Sequence, residues 1–342
     1  TAPAGGYGIH VGGNAGAVSA ADVTSVDAGV YVGGTAASVT STGSITTSGT
    51  AADGVHVGNT VTGDITVNNV DATGYGVYVN SWVGGSIADA AGTIESAQTG
   101  IHVGGSVDGD VGGATLSINA GVAKANAAAD GIYIDGNVGG TLSAGSITAA
   151  SDGLVVVGDA HDVTISSISA GSGYGISIRD TAGAISANAV QAESTGIYVG
   201  GSATSVASTG SIVSTTGDGV RVDGDLGSLA VNDITATAST ASGISVGGNL
   251  GGAGSTVSGA IQAGDFGIYV GGDLTSTLTN ASGASIASTN DALHIAGSNS
   301  GAIDNLGSIE SATGYGISIG TGSDGAIHNH STIAAELGRA HV

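Results

Sequence analysis

The sequence of 342 residues has no cysteine, one proline and only four basic residues. Without cysteine, the chain has no disulfide framework and no CxxC metal site. Its 27 acidic residues bring the formal net charge to −23 at pH 7. So few cations cannot neutralise a row of phosphates, which argues against nucleic acid as a partner, and the charge also disfavours anionic membrane surfaces.

Long hydrophobic runs and aromatic residues are also scarce. No apolar run reaches the roughly 18 residues of a membrane span, so we expect no transmembrane segment. Aromatic residues make up 3% of the chain, whereas glycine supplies 66 residues. Such a glycine-rich chain could be disordered, but a hydrophobic content of 41% with regular Ile and Val placement favours a folded protein.

A short apolar motif recurs through the whole chain. The hexapeptide GIYVGG occurs at 196–201 and again at 267–272, and it belongs to a wider pattern of Gly, a branched apolar residue, any residue, and Val or Ile. This pattern, with alanine replacing glycine once, has a mean spacing of about 24 residues, which lies in the range of solenoid repeats. The fourteen copies, called anchors below, begin at residues 8, 29, 54, 76, 100, 131, 153, 175, 196, 219, 243, 267, 292 and 316.

A second apolar marker follows each anchor by 14 to 18 residues, often as GSI or GTI. Residues two apart on a strand share a face, so the branched residue after the anchor glycine and the Val or Ile two residues later are both predicted to point inward. Together the two markers predict an all-β fold, a parallel β-helix of about fourteen coils forming one domain over 1–342. We expect right-handed coiling from the general bias of parallel crossovers, and longer loops at 46–54, 119–131 and 235–243. The clear second markers are Ile45, Ile94, Ile147, Ile212, Ile286, Ile309 and Ile333.

The alternation of GIxV, a GG or GD turn and GSI or GTI resembles the β-helical passenger regions of bacterial autotransporters and related large surface adhesins. The resemblance covers almost the whole chain, as in GIYVGGSATSVASTGSIVSTTGDGVRV at 196–222. It implies export to the bacterial cell surface or beyond, and a non-catalytic role as an adhesin stalk or as a filament or matrix subunit. It also implies surface or matrix glycans or proteins as partners.

The two ends of the sequence fall at nearly the same phase of the repeat, since Ala340 lies 23 residues after Ile317. Open solenoid ends expose unpaired backbone groups. We therefore expect either a segment of a longer solenoid or copies of the chain that stack end to end. At about 4.8 Å per coil, fourteen coils would extend over roughly 67 Å.

The outward residues of the first six anchors alternate between histidine and tyrosine, and they are predicted to form a ladder. Such a ladder could be a recognition or self-association stripe, because exposed aromatic residues mark contacts. It could equally be cross-strand stacking that stiffens the coils, and both interpretations stay open. The six residues are His10, Tyr31, His56, Tyr78, His102 and Tyr133.

Aspartates near the turns are the candidate metal ligands, and calcium is the one cofactor that the sequence suggests. Carboxylates on adjacent coils could hold calcium weakly, although Asp before Gly is also ordinary turn chemistry. A calcium-responsive binding module is therefore an alternative function. Zinc is disfavoured, because the ladder histidines lie two steps apart, and His328 with His330 forms a separate pair. The candidate calcium ligands are Asp108, Asp110, Asp130, Asp152, Asp223 and Asp225.

A polysaccharide lyase or hydrolase is the second alternative, since many parallel β-helices have these activities. Such a site needs a paired acid and base, or clustered aspartates with a cation. The nearest approaches are Arg179 beside Asp180 and Arg221 near Asp223. We therefore expect no catalysis and no catalytic residues.

Overall fold

The computed structural model describes residues 6–89, 92–124 and 126–335. Within these ranges the chain is a parallel β-solenoid of about fourteen turns that contains strands and no α-helix. No helix in this part of the chain could cross a membrane. Contacts group the chain into two compact units, Thr1–Arg179 and Asp180–Val342, which are described in turn. The predicted phase match at Ala340 lies outside the described residues.

The first unit contains eight three-residue anchor strands in one parallel sheet, and strands of three to twelve residues in a second sheet. The anchor strands are Ile9–Val11, Val30–Val32, Val55–Val57, Val77–Val79, Ile101–Val103, Ile132–Ile134, Leu154–Val156 and Ile176–Ile178. The strands of the second sheet are Ala15–Ala20, Val23–Ser25, Ala36–Ser41, Ser44–Thr47, Ile65–Val67, Asn69–Ala72, Ile87–Asp89, Thr93–Ser96, Val111–Ala120, Val138–Ala149 and Ala160–Ala170.

The second unit repeats this arrangement with six anchor strands. These are Ile197–Val199, Val220–Val222, Ile244–Val246, Ile268–Val270, Leu293–Ile295 and Ile317–Ile319. The second sheet contains Ala182–Ala192, Ala203–Ser214, Leu229–Ala236, Ser255–Val257, Ala260–Ala263, Leu278–Asn280, Ser285–Ser288, Ile303–Asn305, Ser308–Ser311, Ile327–Asn329 and Thr332–Ala335. A small separate sheet pairs Ser298–Asn299 with Gly322–Ser323.

Anchor strands pair in register, as the repeat predicts. Val55 lies opposite Val77, and Val77 lies opposite Ile101. The long connection at 119–131 does not shift this register, because Ile101 still pairs with Ile132. Inward positions of successive coils therefore form continuous apolar columns, and residues such as Val55 are fully buried. Insertions are accommodated outside the ladder of strands.

The second marker also forms a column, but the sequence revealed only part of it. Ile45 pairs with Val70 and Ile94 pairs with Ile118, so the strands without a GSI or GTI signature belong to the same column. A third apolar column was not predicted from the sequence. In the first unit it includes Val39, Ile65, Ile87, Val111, Leu142 and Val163.

The anchor glycine is required by close contact between coils. A Cβ atom at Gly76 would collide with the Ile94 side chain across the core, and would lie 2.5 Å from the carbonyl oxygen of Gly100 in the next coil. Gly29 is equally crowded, by Ile45 and by the carbonyl oxygen of Gly54 at 2.6 Å. The spacing of coils therefore leaves no room for a side chain at Gly29 or Gly76, although Ala292 occupies the equivalent position in the second unit.

The only lysine holds the longest insertion against an earlier coil. Lys124 lies in the loop that follows the strand Val111–Ala120, and its Nζ forms an ion pair with the carboxylate of Asp71. The same ammonium group donates to the carbonyl oxygen of Ala72 over 3.0 Å. This loop thus folds back over the side of the solenoid.

Replacing an anchor glycine should destabilise the fold. We expect Gly76→Ala to lower the free energy of unfolding by about 1–3 kcal/mol, because the added methyl group must displace the Ile94 side chain or the backbone of Gly100. Urea denaturation followed by circular dichroism measures this change. Gly13→Ala is the matched control, since nothing lies within 4 Å of its added Cβ. Equal stability of the two variants would contradict the close-contact explanation.

Candidate functional site

The six predicted stripe residues form one continuous aromatic ladder on the first unit. Ring centroids of His10 and Tyr31 are 5.1 Å apart, those of Tyr31 and His56 5.0 Å, and those of His56 and Tyr78 4.8 Å. The stack continues at 5.3 Å from Tyr78 to His102, then at 5.2 Å from His102 to Tyr133. Planes of these neighbouring rings differ by at most 26°. At the next anchor Val155 replaces the ring and ends the stack.

The backbone sets the distance between these rings. In-register parallel pairing places equivalent residues about 4.8 Å apart, which is close to the separation of offset-stacked rings. Two more tyrosines lean on the ladder: Tyr7 is 4.6 Å from His10, and Tyr75 is 5.0 Å from Tyr78. Both occur in a Gly-Tyr-Gly segment three residues before a ladder residue. A Gly-Tyr-Gly segment before an aromatic anchor is the sequence signal for these two rings.

Stacking covers the faces of the ladder rings and leaves their polar edges accessible. The side chain of His56 keeps 26% of its surface exposed, and its Nδ1 lies 2.7 Å from Oδ2 of Asp53. The Tyr78 hydroxyl donates to Oδ1 of Asn80 over 2.9 Å. The ladder therefore presents hydroxyl and imidazole groups in a row at a regular spacing.

Burial changes the ionisation of several ladder groups. It lowers the pKa of His102, against the smaller opposing effect of Asp135 and Asp130. It also raises the pKa of the Tyr133 and Tyr75 hydroxyls. At neutral pH, His102 and these tyrosines are consequently uncharged, which suits a stack of aromatic rings.

The second unit repeats the Asp–His arrangement once. Nδ1 of His294 lies 2.8 Å from Oδ2 of Asp291, three residues earlier. The imidazole stacks on Tyr269 at 5.4 Å, and Phe266 tilts against both rings. The other oxygen of Asp291 accepts the backbone N–H of Tyr315. An aspartate before an anchor can therefore orient the outward residue and bind the next coil.

Four of the predicted calcium ligands lie in the first unit, and each accepts a hydrogen bond from another coil. Asp108 accepts from Nε1 of Trp82 over 2.8 Å. The remaining three accept backbone N–H groups one coil later: Asp110 from Thr141 at 2.8 Å, Asp130 from Asp152 at 3.1 Å, and Asp152 from Tyr174 at 2.6 Å. These carboxylates thus act in place of backbone carbonyls at the turns.

The two candidate ligands in the second unit are also engaged. Asp223 accepts from Nε of Arg221 at 2.8 Å and from the Tyr198 hydroxyl at 2.9 Å, and Asp225 accepts the backbone N–H of Asn249. Across residues 6–89, 92–124 and 126–335, no group of three or more His, Asp or Glu side chains is placed to hold a metal ion. The geometry therefore gives no support to the predicted calcium site.

A larger set of Asp and Asn residues, at several turns of the coil, shares this role and was missed in the sequence. Each side-chain oxygen accepts a backbone N–H from the following coil, which is the turn chemistry that short Asx side chains provide. Ordinary turn chemistry, the alternative to calcium binding for an Asp before Gly, thus explains these residues in both units. Further members of this set are Asn14, Asp22, Asp53, Asp64, Asn69, Asn137, Asp218, Asp233, Asn249, Asp273 and Asp291.

His328 and His330 do not form a shared chelate with the aspartate nearby. Nδ1 of His328 lies 2.7 Å from Asp304 of the preceding coil, whereas the two imidazole centroids are 6.4 Å apart. The pair is better described as an inter-coil His–Asp contact beside a second histidine.

A cleft adjoins one side of the aromatic ladder. Its walls include the rings of Tyr7, Tyr31 and His56 and the carboxylates of Asp27 and Asp53, and the long connection at 50–52 closes one side. Hydrogen-bond acceptors and aromatic surface therefore meet at the first three coils.

Two aspartates of this set, Asp152 and Asp273, should contribute to the stability of the fold with opposite pH dependence. Burial raises the pKa of Asp152 in the folded chain, so its favourable contribution is present below its unfolded pKa of about 3.9 and is lost as pH rises through the raised value. Asp152→Asn should therefore raise the melting temperature at pH 7, and the gain should vanish towards pH 3.

Asp273→Asn provides the opposite case for the same measurement. Hydrogen bonds from the backbone N–H and hydroxyl of Ser298 lower the pKa of Asp273, so its contribution is present above the unfolded pKa and is lost as pH falls through the lowered value. The variant should melt below the wild type at pH 7 and approach it in acid. Identical pH profiles for the two variants would refute the assigned environments.

Comparison with known proteins identifies one family. No curated protein and no solved structure matched the chain. The model of the family described as periplasmic copper-binding protein (NosD) matches residues 35–206, which is half of the chain and includes most of the aromatic ladder. The chain therefore belongs to the NosD family.

Proposed function

We propose that this chain is a non-catalytic β-solenoid of the bacterial cell envelope or surface, which presents a rigid side-chain array to a partner. The aromatic ladder carries this proposal, because six rings at a nearly constant spacing are held by in-register strands. The aspartates that a catalytic or calcium site would need are instead used to join coils. An adhesin stalk or a filament subunit formed by copies stacked end to end is the finer form of this proposal.

The family description supports an envelope location, since it names a periplasmic protein. A strongly acidic chain, with net charge −23, also suits a soluble exported protein that repels its neighbours along its sides. The resemblance to autotransporter passengers and surface adhesins favours the outer surface. Both sources agree on a place outside the cytoplasm.

Copper, which the family description names, does not fit the donor set of this chain. The soft ligands that select Cu(I) are thiolates and thioethers, and the sequence contains neither cysteine nor methionine. The ladder histidines are separated by tyrosines, and Nδ1 of His56 contacts Asp53. No group of three metal-binding side chains occurs among the residues that the structure describes. We therefore assign no copper chemistry to this solenoid.

Metal titration tests this assignment directly. Dialysis of the purified chain against Cu(II), against Cu(I) under reducing conditions, or against calcium should leave no stoichiometric metal after buffer exchange, as measured by elemental analysis. The melting temperature should also stay unchanged, because an ion that binds the folded state stabilises it. One bound copper or calcium per chain, with a raised melting temperature, would overturn the proposal for that metal.

Cell fractionation and activity assays test the function itself. In the bacterium that produces the protein, an antibody against the chain should detect it in the periplasmic or surface fraction. The purified chain should release neither reducing nor unsaturated ends from polysaccharides. Retention in the cytoplasm, or release of sugar ends that increases with protein concentration, would reject the envelope role or the non-catalytic role respectively.

A further inference from the structure

We propose that the outer edge of the aromatic ladder binds an extended, uncharged β-1,4-linked polysaccharide along its length. This inference rests on the proposed non-catalytic role and names the class of partner. The ladder is defined by His10, Tyr31, His56, Tyr78, His102 and Tyr133.

The period of the ladder carries the argument. Histidine recurs at every second coil, and tyrosine occupies the coils between. Two coils span about 10 Å at the usual strand spacing. In a β-1,4-linked chain successive sugars are turned over, so the same edge returns with each disaccharide, over nearly the same length. A polymer with this two-step alternation can repeat one set of contacts along the whole ladder.

The chemistry of the exposed edge suits sugar hydroxyl groups. The ring faces are covered by stacking, whereas the edges carry phenolic oxygens and imidazole nitrogens. With Nδ1 of His56 held by Asp53, its Nε2 is left to face the ligand, and the Tyr78 oxygen can accept a bond while it donates to Asn80. Tyr7, which is 40% exposed, adds a partly open ring face beside the ladder.

The flanks of the ladder allow a flat polymer to approach. Beyond the anchor strands, glycine follows four of the six ladder residues at equivalent positions and keeps this flank low there, whereas Asn80 and Asp135 follow Tyr78 and Tyr133. The four glycines are Gly12, Gly33, Gly58 and Gly104. On the other flank, the cleft beside Tyr31 and His56 can receive a substituent of the sugar ring.

The charge of the chain and the pairing of its strands argue against two other kinds of partner, anionic polysaccharides and peptides. A net charge of −23 repels anionic polysaccharides such as those rich in uronic acids. A peptide cannot add as a strand at the ladder, because each strand in the middle of the ladder already pairs with a strand of the coil on either side. Repetition of weak contacts along one polymer would supply the affinity through multivalency.

The test is co-sedimentation of the purified full chain with insoluble amorphous cellulose or chitin, which are uncharged, share the β-1,4 linkage and differ in source. Insoluble starch and soluble alginate serve as linkage and charge controls. Binding to at least one β-1,4 polymer, at least tenfold above starch, is expected, and alginate should not compete. Equal binding to starch, or no binding to any β-1,4 polymer, would refute the proposal.

One ladder variant and one control variant separate recognition from folding. Replacement of the ladder tyrosines by Phe keeps the stack and removes the hydroxyls, and should weaken binding at least fivefold without altering the circular dichroism spectrum. Tyr198→Phe with Tyr269→Phe is the matched control outside the ladder, and should bind as the wild type does. Unchanged binding by the ladder variant would locate any polysaccharide site elsewhere. The ladder variant contains Tyr31→Phe, Tyr78→Phe and Tyr133→Phe.

Failure of this experiment is distinguishable from failure of the proposed function. A chain that does not sediment, remains in the envelope and releases no sugar ends would refute only the polysaccharide partner. A chain that cleaves the polymers would refute the non-catalytic role. Sedimentation with protein fibres but not with polysaccharides would assign the ladder to a protein partner instead.

Discussion

Close approach of successive coils is the constraint on which the other features depend. At one strand spacing, the carbonyl oxygen of Gly100 lies only 2.5 Å from the place where a Cβ of Gly76 would stand. Glycine at this column lets the anchor strands pack against the opposite face, where Ile94 fills the core. The same spacing fixes the separation of outward rings. Core packing and surface pattern thus follow from one distance, set by backbone hydrogen bonds.

That spacing explains how much of the structure could be predicted from the sequence. All fourteen predicted anchors became strands, because two branched side chains are buried within four residues, together with steric exclusion at glycine in every anchor except the one that begins at Ala292. The column through Ile65 and Ile87 was missed, since its strands are short and do not share one motif: Ile65–Val67 reads ITV, whereas Ile87–Asp89 reads IAD. A strand of three residues is too short to show a period of its own, and its register with the next coil is what reveals the column.

The candidate site shows a similar division. Alternation of His10, Tyr31 and His56 predicted a ladder, but the tilted rings of Tyr7 and Tyr75 depend on how the segment before each anchor turns. Asp130 and Asp152, two of the candidate calcium ligands, lie on adjacent coils, yet the Asp130 carboxylate accepts the backbone N–H of Asp152 instead of joining its carboxylate in a cluster. The spacing of residues in the sequence predicts which of them lie on neighbouring coils. The direction in which a short side chain points depends on the backbone conformation of the turn, which the spacing does not reveal.

Buried amides in the second unit show how the same stacking can accommodate polarity. Nδ2 of Asn280 donates to Oδ1 of Asn305 over 2.8 Å. Nδ2 of Asn305 donates in turn to Oδ1 of Asn329, also over 2.8 Å. Val257 occupies this column in the preceding coil and offers no donor, and Oδ1 of Asn280 has no hydrogen-bond partner. A buried, unpaired acceptor is costly, so the first amide of such a column bears a cost that later members avoid. Repetition therefore stabilises a polar column where each coil supplies a matching group, and the aromatic ladder is likewise continuous because each coil from His10 to Tyr133 supplies a ring.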